Sequence, residues 1–492
     1  MEKIKKFLLA YWPLILILLA ITFLFVLKLG RDPYWDWDEC IYSVYGREMK
    51  INGNYWTNQW NGLLGFEKPP LYAWLLQIPY AFGVNEFNAR ILSVIAGVFL
   101  ICLIYYFSKK YFSERVAILS VLLLLASEVF ILYVIRVNTD IIYILFVFLG
   151  FYSWILSKNN KKFSYFAGIF YGLAVMDKGL SVLAFLVTTF LTIFINFKRE
   201  RIVDFLRLLF SFLLLITPWH TYQLITHGKD FIKIYINENL IKRANNPIEF
   251  HFGGNFFYVK QLLRELFPWI FATLILPIYY LINKKIYLNF SAIKKEIKNK
   301  EMVFIIIMFI IIPLLAITRI QTKLPWYALP IYPFLCIFIA YSIDFLLKKG
   351  PKIFYYGILF LLILDSFILI NKEAKPFQNK SDITPRHEVF MKSKQFPEKQ
   401  INYLVQYSER RAKEVLGPNL TTSTTFIYGG NPCAVYYSNK KLFYYYTKED
   451  FVKRLQKGKG LYVIENGDTA MLDEKPKTSL LFRNSDFTLF RN

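Results

Sequence analysis

Apolar residues along this chain fall in long runs broken by short polar loops. The runs lie at about 7–29, 89–107, 115–135, 140–157, 163–177, 180–197, 203–222, 262–282, 302–318, 326–347 and 353–370. Most approach the roughly 20 residues a helix needs to cross a hydrocarbon core. The pattern therefore predicts about eleven membrane spans. A further apolar stretch, "PLYAWLLQIPYAFGV" at 70–84, is short and holds prolines. It reads as a helix lying at, or dipping into, the outer surface.

The loops between runs differ by side. "MEKIKK", "SKKYFSER", "SKNNKK", "FKRER", "NKKIYLNFSAIKKEIKNKE" and "LLKKGPK" are basic and fall on one side if the spans alternate. Basic loops mark the cytoplasmic face. The amino terminus is then cytoplasmic, and an odd number of spans puts the tail outside. The first run follows a basic start as a signal peptide would. It is longer than a signal core and lacks a small-residue cleavage site, so it reads as a retained span. From about 371 the composition shifts. Short β-type runs ("INYLVQY", "TTFIYG", "AVYYS", "LYVIE", "FTLFRN") alternate with the helix-like "EDFVKRLQKG". The expected organisation is a transmembrane domain over 1–370, including an outer loop with surface helices at 30–88, and a small extracytoplasmic α/β domain over 371–492.

Composition agrees with a membrane protein, since 55% of the 492 residues are hydrophobic. The formal charge of +24 is explained by basic cytoplasmic loops. No recognition motif accompanies it, so no nucleic-acid partner is expected. The four cysteines, Cys40, Cys102, Cys336 and Cys433, show no CxxC spacing. Neither a disulfide framework nor a zinc finger is legible from them. There is no internal repeat of the kind many transporters show.

Charges at membrane level are costly and tend to be functional or paired. Here the acids near span ends collect on the outer side, in six clusters. "YWDWDECIYSVYGREM" follows the first run. As a helix from about 38 it places Asp38, Tyr42 and Tyr45 on one face, with Glu39 beside them. An aspartate can deprotonate an attacking hydroxyl; Asp36 or Asp38 can equally cap the helix. In "GFEKPPLYAW", Pro69–Pro70 can start a helix. That leaves Lys68 at its N-terminus as an anion site, with Glu67 adjacent. The plain alternative is a surface ion pair. "RVNTD" holds Arg136 and Asp140, with Asn138 or Asp140 as a turn cap. Asp177–Lys178 reads either as a site pair or as a mutual ion pair. "YINENLIKRANNPIEFHFGG" offers Glu238, Asn239, Arg243 and His251. "TKLPWYALPIYP" offers Lys323 and Tyr327, or a proline-kinked span with an interfacial Trp–Tyr pair. Acids and cations on one side suit a reaction on a phosphate-linked lipid. The cations hold the phosphate, and a carboxylate handles the nucleophile.

The order of "DECIYSVYGREM", "NGLLGFEKPPLYAW", "FGVNEFNARILSVIAG", "RVNTD", "DKG", "ENLIKR" and "KLPWYALPIYP" resembles the bacterial aminoarabinose transferase-like and protein mannosyltransferase-like family of C-type membrane glycosyltransferases. The match covers most of the chain; the tail matches only loosely. The resemblance implies a polytopic α-helical membrane protein of about 11–13 spans with a small outer α/β domain, in the bacterial cytoplasmic membrane. It implies transfer of a sugar from a polyprenyl monophosphate to an acceptor on the outer face by an inverting displacement. Lipid A or another envelope glycolipid or glycan is the favoured acceptor, with a protein hydroxyl as the alternative. The resemblance implies Asp38 and Asp140 as catalytic residues: Asp38 corresponds to the family's catalytic or acceptor-orienting aspartate after the first span, and Asp140 to its second important aspartate. Lys68, Arg243 and Tyr327 fall where the family contacts the lipid phosphate, and Lys323 lies beside them. Glu39, Tyr42, Arg136 and Lys178 are further pocket candidates. Glu67 falls at a position that binds a divalent cation in the aminoarabinose branch, with Glu238 and His251 as further candidate ligands. That branch has His directly after the Glu of the fifth cluster, where this chain has Asn239. The departure puts the metal site in doubt.

Two rivals use similar residues. A transporter or flippase of lipid-linked sugars should place charges at mid-membrane and show repeat symmetry. A non-catalytic scaffold has no need of both aspartates or of Glu-Lys-Pro-Pro.

Overall fold

A computed structural model describes residues 15, 18–35, 37–247, 251–282, 300–348, 350–375, 383–408, 410, 431–472 and 478–492. Asp36, the "MEKIKK" start, nearly all of the basic loop at 283–301 and the expected "TTFIYG" strand lie outside the described residues. The chain divides into two compact units. One holds Met1–Leu29, Arg90–Pro247 and His251–Gln378. The other holds Gly30–Ala89 and Asn379–Asn492, so the segment expected as the outer loop clusters with the tail and not with the apolar runs.

In the first unit a helix occupies each predicted run. Residues 18–26 are helical, and helices follow at Glu86–Tyr111, Asp140–Leu156, Lys162–Lys178, Leu183–Leu191, Arg199–Phe231, Glu301–Arg319, Tyr332–Leu347 and Lys352–Ala374. Two runs are broken. Glu114–Leu125 and Glu128–Val134 meet at 76°, and Phe257–Glu265 meets the following apolar helix at 112°. The first break has a local cause. The Ser127 hydroxyl accepts from the Phe130 amide at 3.4 Å, and Glu265 accepts from Val129 N at 3.2 Å, so a new helix is capped in a new direction. Among the described residues five helices are long and apolar enough to cross a membrane, or up to seven if each bent pair counts as one span. The count is below eleven because several apolar helices, such as Asp140–Leu156, have at most 17 residues.

This unit is held by aromatic packing. Phe334 lies 5.0 Å from both Phe151 and Phe309, and Phe151 lies 4.8 Å from Phe309, ring centre to ring centre. Such edge and tilted contacts are the geometries that aromatic quadrupoles favour. Lys162–Lys178 packs closely on Arg199–Phe231. A Cβ on Gly168 would stand 2.1 Å from the Leu208 carbonyl oxygen, so only glycine permits the approach.

In the second unit a five-stranded sheet runs in the order Lys441–Tyr445, Gln400–Leu404, Leu461–Glu465, Phe487–Arg491, Ser479–Arg483. The first three strands are parallel, and Phe487–Arg491 runs antiparallel to both of its neighbours. Helix Lys448–Lys457 covers one face through Phe451 and Leu455, which pack with Leu404, Tyr462, Ile464 and Phe490. The expected strand at "AVYYS" is instead helix Pro432–Ser438. Asn431 accepts from Cys433 N at 2.8 Å and Ala434 N at 3.3 Å, and proline occupies the first turn. That cap and proline override the β-propensity of Val and Tyr. The outer loop supplies helix Asp38–Asn52, the hairpin Asn58–Trp60/Leu63–Gly65 and helix Leu71–Tyr80. The cysteine reading is corrected as well: Cys40 and Cys433, 393 positions apart, are joined in a disulfide. A partner at that distance cannot be read from spacing.

Candidate functional site

In the outer-loop unit, helix Asp38–Asn52 starts at Asp38, which is exposed, with Asp38 and Glu39 in its first turn, where the helix dipole favours negative charge. Glu39 is 2% exposed and its Oε2 accepts from the Trp35 amide at 2.7 Å. It therefore shapes the turn that presents Asp38. Tyr42 and Tyr45 follow on the same helix, with Tyr42 5.4 Å from the Tyr72 ring. Tyr45 donates to Glu67 Oε2 at 2.7 Å, which fixes the Glu-Lys-Pro-Pro segment against the acidic helix. Lys68 is half-buried in the bend before Pro70, the residue that precedes helix Leu71–Tyr80. The Lys68 carbonyl accepts from Asn58 Nδ2 at 2.9 Å. Burial pushes the Tyr80 hydroxyl, at the far end of that helix, up to about 12.

In the membrane unit four of the predicted residues come together. Asp140 opens helix Asp140–Leu156 and Lys178 closes helix Lys162–Lys178; the two form a buried ion pair. Lys178 therefore pairs with Asp140 across two helices, a partner that neighbouring Asp177 did not suggest. Its ammonium lies 5.5 Å from the Tyr143 ring centre and 5.8 Å from that of Tyr327. Arg243 Nη1 donates to the Tyr327 hydroxyl at 3.3 Å. Asn138 makes the turn that delivers Asp140. Its Oδ1 accepts from Asp140 N at 2.9 Å, and its Nδ2 donates to the carbonyls of Tyr133 and Arg136. Arg136 is half-buried in that turn.

Backbone pairing brings the distant segments together. Gln321 N donates to Ala244 O at 3.0 Å, Thr322 N to Arg243 O at 3.2 Å, and Lys323 N to His251 O at 3.0 Å. The Arg243 and Tyr327 segments are thus laced side by side. Lys323 serves this frame. Its ammonium donates to the carbonyls of Ile317, Thr318 and Ile320, closing the end of helix Glu301–Arg319. Three carbonyl acceptors match the three ammonium protons of Lys323. Burial holds its ammonium below the usual lysine range.

Glu238 pairs with Lys242 at 3.2 Å, and Asn239 Nδ2 donates to Ile234 O at 2.9 Å within the π-helical stretch Ile232–Lys242. Among the described residues no three His, Cys, Asp or Glu residues are grouped to hold a metal ion.

Tyr143 is absent from the sequence-derived set. It stands three positions after Asp140, so helical spacing alone would have flagged it.

A family model described as dolichyl-phosphate-mannose-protein mannosyltransferase matches residues 67–222. An undecaprenyl phosphate-alpha-4-amino-4-deoxy-L-arabinose arabinosyl transferase of Wigglesworthia glossinidia brevipalpis is 28% identical over 373 residues, covering 72% of this chain and 63% of that protein. An uncharacterized protein of Aquifex aeolicus is 28% identical over 354 residues, covering 71% of this chain and 65% of its own length. The chain thus spans less than two thirds of the length of these sequence relatives. Among solved structures, ArnT from Cupriavidus metallidurans bound to undecaprenyl phosphate superposes with a TM-score of 0.71 at 15% identity, covering 98% of both chains. An oligosaccharyltransferase of Archaeoglobus fulgidus superposes at 0.56 with 11% identity, covering 94% of this chain and 70% of its own. The chain has the C-type membrane glycosyltransferase fold. Its resemblance to the aminoarabinose transferase and protein mannosyltransferase type holds in sequence and in fold.

Proposed function

We propose that this multi-pass membrane protein of the C-type glycosyltransferase fold moves a sugar from a polyprenyl monophosphate to an acceptor outside the cytoplasm. The acceptor class favoured is lipid A or another envelope glycolipid or glycan. The carrying observation is the cluster of Arg243, Tyr327, Lys178 and Asp140, drawn from four distant segments into one place in the membrane unit. A guanidinium, a phenol and an ammonium in a row suit the oxygens of a phosphate monoester or diester. Asp140 holds Lys178 in place and balances its charge, the standard requirement for a buried cation.

The chemistry follows from that reading. The acceptor oxygen attacks the anomeric carbon. The bond from that carbon to the phosphate oxygen breaks, and the electron pair leaves with the polyprenyl phosphate. Cations that hold the phosphate stabilise this developing charge. The acceptor proton passes to a carboxylate, for which the resemblance nominates Asp38. Lys68 is assigned to the donor phosphate on the same ground. One displacement inverts the anomeric centre.

The reading places the protein in the bacterial cytoplasmic membrane with the amino terminus inside and the sheet domain outside. Two observations support it. The basic loops fall on one side if the eleven apolar runs alternate across the membrane. The Cys40–Cys433 bond lies in the outer-loop unit, and disulfides persist in oxidising compartments.

The test is transfer by the purified protein in vesicles, with a polyprenyl-phosphate sugar donor and an envelope lipid acceptor. Sugar should end covalently on the acceptor with release of polyprenyl phosphate. Asp38→Asn and Lys68→Ala should each lower turnover about 10²–10³-fold while the protein still inserts. Movement of intact donor across the bilayer without transfer would instead identify a flippase.

A further inference from the structure

We infer that the carboxy-terminal sheet domain is a positioning frame for the loop that carries Asp38, Glu67 and Lys68. The inference rests on the reading of Asp38 and Lys68 as substrate-contacting residues. It assigns a role to the tail, whose sequence announces none.

The frame holds the loop on both arms. The first arm is the acidic helix. Cys40, two positions after Asp38, is bonded to Cys433 in helix Pro432–Ser438. Two turns further along, Arg47 is 7% exposed. It donates through Nη1 to Tyr436 O at 3.0 Å and through Nη2 to Val435 O at 3.4 Å. Those are late carbonyls of the short helix, which an arginine caps well. Tyr34 N, just ahead of the helix, donates to the Tyr437 hydroxyl at 2.6 Å.

The second arm is the hairpin that leads into Glu67 and Lys68. Its turn residue Asn61 adopts φ +52°, a conformation asparagine tolerates. The Asn61 amide accepts from Leu442 N at 2.8 Å and donates to Leu442 O at 2.9 Å. Leu442 lies in Lys441–Tyr445, an edge strand of the sheet. One side chain thus supplies the donor and acceptor that a neighbouring strand would supply, and it occupies an otherwise open edge. Helix 432–438 and strand 441–445 are adjacent in sequence, so both anchor points move as one piece. Lys440 reinforces that piece through the carbonyls of Phe396 and Glu398 at 2.7 and 2.6 Å.

A covalent tie near Asp38 and a fitted contact on the hairpin before Lys68 are what alignment of reacting groups requires. A misplacement of about 1 Å costs roughly 10²-fold in rate. Cys40, Cys433, Arg47 and Asn61 are therefore positioning residues.

The experiment uses the full chain in lipid nanodiscs. It compares wild type, Asn61→Ala and the double variant Cys40→Ser/Cys433→Ser by hydrogen–deuterium exchange of the backbone and by transfer kinetics. Exchange should rise over 38–47 in the double variant and over 58–68 in Asn61→Ala, with the membrane helices as protected as in wild type. kcat should fall about tenfold or more with KM for donor within about twofold. Reductant should reproduce the loss in wild type and leave the double variant unchanged. Wild-type protection across 38–68 in both variants would overturn the inference, as would raised exchange with full kcat. A wild type that transfers nothing refutes the proposed activity, while the exchange measurement still decides whether the frame holds the loop.

Discussion

Asp140 and Lys178 show how much a single partner decides. Both side chains are at most 8% exposed, and each neutralises the other. Removing one leaves a buried uncompensated charge, at a cost of about 3–5 kcal/mol. Asp140→Asn should therefore lower both stability and turnover. The pair Asp140→Asn/Lys178→Met should recover most of the stability without the turnover, because the cation assigned to phosphate is gone. Thermal unfolding and transfer assays on the same preparations check the split. Recovery of both properties would remove Lys178 from the proposed chemistry. Lys323 makes the opposite case. The outer-mouth position in "TKLPWY" suggested a phosphate ligand, yet its protons go to three carbonyls at a helix end. Residue type and location were legible in the sequence; the identity of the acceptor was not.

At the scale of elements, each apolar run of the membrane unit holds a helix, since desolvating a backbone in lipid demands local hydrogen bonding; the helical stretch Ile232–Lys242 lies outside those runs. The hydropathy pattern overlooked the bends at Ser127 and near Pro268, which arise from caps and partners that a hydropathy average does not register. It also missed helix Pro432–Ser438, where Asn431 and Pro432 outweigh the residue preferences that followed. Close packing of Lys162–Lys178 on Arg199–Phe231 depends on Gly168. Gly168→Leu places carbon against the Leu208 carbonyl and should destabilise the membrane unit by about 1–3 kcal/mol. A lowered unfolding temperature in detergent measures it, and an unchanged one would mean that the two helices separate freely.

For the whole molecule, orientation is the property on which the proposed chemistry turns. Alkaline phosphatase fused after Asn492 should be active, and a fluorescent protein fused there dark, if the sheet domain is outside the cytoplasm. The reverse result would invert the topology and remove the oxidising setting that Cys40–Cys433 needs. By itself the sequence determined the apolar runs, the basic character of six loops between them and the residue types of the polar clusters. These properties are local: each depends on a window of neighbours and on transfer of that window between water and lipid. Only the tertiary structure decided which charge meets which: Lys178 with Asp140, Arg243 with Tyr327, Cys40 with Cys433, Asn61 with a sheet edge. Those pairings join residues far apart in the chain, and their energies exist only once packing has brought the segments within a few ångströms.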